Sequence, residues 1–205
     1  MRILRAIVLG TLISMLAGHV VQSGTKTPDL RGVLRPYDSN PPPVRVELWR
    51  SGLLSGYTKI DLPTRSISAL GAHLGQGRGF HAMWSTASTS EIRALSQGVL
   101  DARLFRFSPR REWLKNVPGA DGGMCIMIAW RDSVAVFRVL PRNARGKMPQ
   151  SARQKYDRMD AVVEAILRME ARYSKQAGLK PVGESDPRRQ RLAVSGSSVF
   201  ANSLP

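Results

Sequence analysis

From residue 44 onward, apolar and polar positions alternate: Val44, Val46 and Leu48 interleave with Arg45, Glu47 and Trp49. A period of two is the pattern of a half-buried strand. Ser51-Gly52 and Ser55-Gly56 supply turn residues, and Tyr57 to Leu62 reads as the return strand. Residues 64 to 87, broken by Gly71, Gly75, Gly77 and Gly79, predict a further hairpin. The period then changes. Ser88-Thr89-Ser90-Glu91 matches a capping box, in which Ser88 accepts from a first-turn amide and Glu91 reaches back. Ile92, Leu95, Val99 and Ala102 follow at helical spacing, so a helix is expected to finish near Ala102.

Pro109 and Pro118-Gly119 bound an irregular basic stretch. Met124 to Trp130, a turn at residues 131–133, and Val134 to Leu140 form the clearest hairpin in the chain. Its strands are apolar on both faces in part, which predicts a place at the sheet centre. A second helix is expected from Ser151, with Gln154 closing another capping box. Its apolar stripe runs through Tyr156, Met159, Val163, Ile166, Met169 and Tyr173. The elements together predict an α+β fold, an antiparallel sheet of about four to six strands with two helices packed on one face.

The opening strand Val46-Glu47-Leu48, its Ser51-Gly52-Leu53-Leu54-Ser55-Gly56-Tyr57 turn and the later hairpin resemble a family of uncharacterised exported bacterial domains. The similarity spans roughly residues 44 to 173 and implies fold and export, with no activity attached. Cysteines often flank the first turn in that family. Here Ser51 and Ser55 stand in those places, so no redox or covalent role passes to the turn.

The flanks read differently from this domain. Arg2 and Arg5 precede an uncharged apolar run from Ala6 to Gly18, shorter than the ~20 residues of a membrane span. Leu16-Ala17-Gly18 is followed by His19 where a lipoprotein needs a cysteine thiol, and Val21-Gln22-Ser23 offers a cleavage site before Gly24. Residues 1–23 are therefore expected to be a secretory signal, leaving a periplasmic or secreted chain without a membrane span; the alternative is an uncleaved N-terminal anchor. Residues 24–43, with Pro28, Pro36 and Pro41-Pro42-Pro43, read as a linker. Residues 174–205 turn polar and lose periodicity, which predicts a disordered basic tail.

Charge sets the candidate partners. The chain carries 31 Lys and Arg against 15 Asp and Glu, a formal charge of +16. Such a surface favours an anionic envelope component or an acidic protein, and nucleic acid if the chain stays inside the cell. Between Arg138 and Arg158 the only acid is Asp157, while Arg142, Arg145, Lys147, Arg153 and Lys155 crowd the start of the second helix. With Ser151 they form the candidate anion-binding site, since free amides at a helix N-terminus attract phosphate or carboxylate. A second cluster, Arg103, Arg106, Arg110, Arg111 and Lys115, interleaves with Phe105, Phe107 and Trp113, the mixture that holds single-stranded nucleic acid.

Other chemistry is sparse. Cys125 is the single cysteine, in an apolar run that predicts a buried thiol. His73 and His81 flank the glycine-rich stretch and, with Asp61, allow a metal site; solvent-facing imidazoles are the simpler reading, and no metal or cofactor is assigned. Gly75, Gly77 and Gly79 lack the Gly-Lys-Ser/Thr ending of a phosphate loop. Asp121 reads as a turn residue, and Asp157, Asp160 and Glu164 as a solvated helix flank. No nucleophile motif stands out, so no catalytic residue is assigned; a hydrolase of unrecognised type is the third functional reading.

Overall fold

The computed structural model describes residues 30–38, 40–52, 55–74, 79–106, 123–131, 133–146 and 148–189. The expected signal segment 1–23, Lys147 and the basic stretch at residues 107–122 lie outside them. A short helix α1 (Leu30–Val33) precedes four strands, β1 (Arg45–Arg50), β2 (Gly56–Asp61), β3 (Ser66–Gly71) and β4 (Phe80–Thr86). Helix α2 (Thr89–Asp101), strands β5 (Met124–Trp130) and β6 (Ser133–Val139), helix α3 (Gln150–Ala177) and strand β7 (Lys180–Val182) complete the order. The architecture is α+β, one antiparallel sheet ordered β6-β5-β1-β2-β3-β4-β7.

The helix-facing side of the sheet presents Val46, Leu48, Ile60, Ile67, Ala69, Met83, Ile126 and Ile128, all buried. Against them pack Ile92, Leu95 and Val99 of α2 and the stripe Tyr156, Met159, Val162, Val163, Ile166, Met169 and Tyr173 of α3. The capping box forms as the spacing predicts: Glu91 N donates to Ser88 Oγ at 3.3 Å, and Ser88 N donates to Glu91 Oε2 at 3.2 Å. Tyr173 joins it, donating to Glu91 Oε2 at 2.5 Å and accepting from Ser88 N at 2.9 Å, so the end of α3 is pinned to the start of α2.

Four expectations need correction. The β5–β6 hairpin does not sit at the sheet centre: β1 pairs with both β2 and β5, and β6 is an edge strand. The seventh strand, β7, lies within residues 174–205, where the sequence predicts a disordered tail; it pairs Phe80 with Val182 on β4. The linker is not wholly separate either, because Leu34 is buried and Tyr37 packs on the core. Helix α3 starts at Gln150, with Pro149 at the cap position and no side-chain cap, so the Ser151–Gln154 box does not form. Proline there presets the entry angle without supplying an acceptor. At its other end α3 stops at Gly178, whose φ of 73° favours a residue without Cβ. Among the described residues no helix is long and apolar enough to cross a membrane.

Candidate binding surface

The predicted anion site comes apart into two sets. Arg145 is buried: its Nε donates to the Leu140 carbonyl at 2.9 Å, and its Nη1 and Nη2 donate to Asp160 at 2.8 Å and 2.7 Å. Arg142, on the rim, lies 3.3 Å from Asp160 and 3.3 Å from Glu164. Burial tends to push the Asp160 carboxyl up, but the bonds and charges of Arg145 and Arg142 hold it below the ordinary aspartate value. Asp160 is thus an internal counter-ion, not a solvated surface acid, and Arg145 is not available to an external anion. That is the physical reason the predicted site does not form as a unit.

The rest of the predicted set faces outward. Arg153 and Lys155 are exposed in the first turns of α3, and Arg153 makes no ion pair among the described residues. Two residues apart on a helix, they project about 200° from one another and do not share a focus. Ser151 is exposed without capping, and Lys147 lies outside the described residues.

The structure assembles a different polar cluster, between the sheet and the C-terminal half of α3. Arg50 Nη2 donates to Glu170 Oε2 at 2.7 Å, with both side chains at most 10 % exposed. Thr58 Oγ1 donates to the same carboxylate oxygen. His73 Nε2 lies 2.5 Å from Arg50 Nη1 and 3.4 Å from Glu170 Oε1. The other ring nitrogen, Nδ1, is buried without a partner. Burial drives the Glu170 carboxyl up; the neighbouring imidazole, the Arg50 charge and the Thr58 donor outweigh it and hold it below its ordinary value.

Two glycines make room for this ring. A Cβ on Gly56 would stand 2.6 Å from His73 Cε1, and one on Gly71 would also overlap the imidazole. His73 is thus a packed member of a buried cluster, not a solvent-facing side chain. Asp61, the proposed third metal ligand, sits at the far end of β2 and accepts from Thr64 Oγ1 at 2.7 Å. Among the described residues no group of three or more His, Cys, Asp or Glu is placed to hold a metal. Gly75, Gly77, Asp121, Arg110, Arg111 and Lys115, with Phe107 and Trp113, lie outside the described residues. Arg103 is exposed, and Phe105 packs edge-on against Phe137 with ring centroids 5.2 Å apart.

The sheet face away from the helices is aromatic and basic. Trp49 and Met127 are buried at its centre, with Tyr57, Phe80 and Val136 around them. Lys59 Nζ stands 4.4 Å from the Tyr57 ring centroid and 5.6 Å from that of Trp49, and Arg189 lies 4.7 Å over Phe80. Burial raises the Tyr57 hydroxyl pKa. Glu47, buried beneath, accepts from Trp49 Nε1 at 2.6 Å and pairs with Arg45 at 2.5 Å. Cys125 is buried on this face opposite Trp49. Two large apolar side chains stand out of it, Trp84 at 68 % and Val134 at 46 % exposure.

Most acids of the described chain are paired with its own cations, although the paired Asp157, Glu164 and Glu184 are themselves exposed and Asp38, Asp61 and Asp101 form no ion pair among the described residues. Glu47, Glu91, Asp157, Asp160, Glu164, Glu170, Glu184 and Asp186 all take part in ion pairs within the chain. Arg35, Arg93, Arg131, Arg158, Lys175 and Lys180 are exposed and form no such pair among the described residues. Of the known proteins compared with this chain, no family model and no curated protein matches it.

Proposed function

We propose that this chain is an exported, non-catalytic binding module whose basic surface engages an anionic partner, an acidic protein or an anionic envelope component. The observation that carries the reading is the sorting of charge. Eight described acids pair with cations of the chain, while the exposed Arg35, Arg93, Arg131, Arg153, Arg158, Lys175 and Lys180 make no ion pair among the described residues. A surface of this kind raises encounter rates with anions and is screened by salt. Export, implied by the apolar run after Arg5 and by the family resemblance, makes envelope anions and acidic exported proteins the partners within reach.

The test is a titration of the full chain with heparin, phosphatidylglycerol vesicles, polyglutamate and duplex DNA across a range of salt concentrations. Affinity is expected to fall steeply with salt, and Arg153→Glu with Lys155→Glu to weaken it. No binding to any polyanion at low salt refutes the reading. A preference for DNA that persists at raised salt replaces it with nucleic-acid binding. Fractionation of the producing cells tests export: a chain beginning at Gly24 outside the cytoplasm is the expected result.

A further inference from the structure

The two edges of the sheet are built differently. β7 has three residues, carries Lys180 and places Pro181, which has no N–H, in the middle of the edge. Short length, a lysine and a proline are the devices by which proteins keep an edge from pairing with another chain. β6 has none of these. It is seven residues long and paired with β5 without a bulge, from Met124 opposite Val139 to Trp130 opposite Ser133. Among the described residues no strand pairs with its outer side. Its one charge is Arg138, and Val134 is left 46 % exposed.

The strand is nonetheless firmly held. Val139 is buried, and Phe137 packs on the core and against Phe105. A rigid strand of about 20 Å thus offers its outer backbone N–H and C=O groups as a template. Beside it, Val134 and Val136 continue the apolar strip of Met127 and Trp49, which suits alternate side chains of an added strand. Arg131 is exposed in the turn before β6, and Arg138, on the same face of the strand as Val134 and Val136, stands near its far end.

We infer that the outer edge of β6 is a docking site for an extended acidic segment of a partner protein, added as an eighth strand. Main-chain hydrogen bonds supply the affinity, the Val134–Val136 strip takes the apolar side chains, and Arg131 and Arg138 select acidic ones beside them. A second copy of this chain is the poorer occupant, because two chains with so large an excess of Lys and Arg repel one another. The inference rests on the proposed binding of anionic partners and locates one class of them.

The experiment uses the full, isotope-labelled chain and the blocked peptide Glu-Thr-Val-Thr-Val-Thr-Glu, whose valines and terminal glutamates share one face of an extended strand, with the lysine counterpart as control. The acidic peptide is expected to bind, to slow amide exchange within Ser133–Val139, and to lose about tenfold in affinity to Val134→Glu; the lysine peptide is expected not to bind. Val134→Thr is expected to keep binding, and circular dichroism of both variants establishes that they fold. Binding with exchange unchanged in β6, or equal affinity for Val134→Glu, overturns the edge while leaving the basic-surface reading intact. So does heparin binding without peptide binding, or dimerisation that Val134→Glu abolishes while no acidic peptide binds. Failure of every anion at low salt overturns both.

Discussion

Replacing Glu170 with glutamine removes one charge from the buried Arg50–Glu170 pair while keeping the side chain's shape. Both partners are at most 10 % exposed, so Arg50 is left as a desolvated cation facing a neutral amide. Breaking a buried pair from one side costs about 3–5 kcal/mol, a large part of the ~5–15 kcal/mol that holds a domain folded. At about 2–4 °C per kcal/mol for a chain of this size, the melting midpoint should fall by about 6–20 °C. Urea unfolding at neutral pH measures the loss, and a double-mutant cycle with Arg50→Met isolates the coupling. The sign with pH follows from the lowered carboxyl. A glutamate held below its ordinary value of 4.5 stabilises fully above that pH, and the contribution fades as pH falls through the lower folded value. Wild type should therefore lose stability on acidification below about pH 4.5 more steeply than Glu170→Gln. A loss under about 1 kcal/mol, or an additive cycle, would refute the assignment of this pair as the pin between α3 and the sheet.

Two further substitutions test the geometry. Arg145→Lys should lower stability by about 2–3 kcal/mol in urea unfolding, since an ammonium cannot span the Leu140 carbonyl and both Asp160 oxygens at once; a change within about 0.5 kcal/mol would contradict it. Gly56→Ala should destabilise by about 1–3 kcal/mol in thermal melts, because the new methyl meets the Leu70 carbonyl at 2.5 Å, and backbone cannot swing aside as a side chain can.

Much of the fold was legible because its signals are local. The Ser88–Glu91 box, the α3 stripe and the β5–β6 hairpin involve residues a few positions apart, and the structure keeps them all. Ser151 misled because a capping pattern specifies only what a helix start will accept. Pro149, two residues earlier, took the cap position. The β6 strand misled for a related reason. Apolar residues on both faces suggest a central strand, yet Val134 is exposed and, among the described residues, no strand lies beyond β6.

The candidate site divides along the same line. The sequence by itself determined the excess of basic residues, the helix and strand periods, and the scarcity of catalytic and metal-ligating patterns, because each is a property of composition or of near neighbours. Only the tertiary structure decided which charges cancel. Arg50 meets Glu170 across 120 positions and Arg145 meets Asp160 across 15. The strand order that leaves β6 at one edge and β7 at the other is likewise set by how the whole sheet buries its apolar face against α2 and α3. Pairing and burial are long-range events in a folded chain, and no local pattern encodes them.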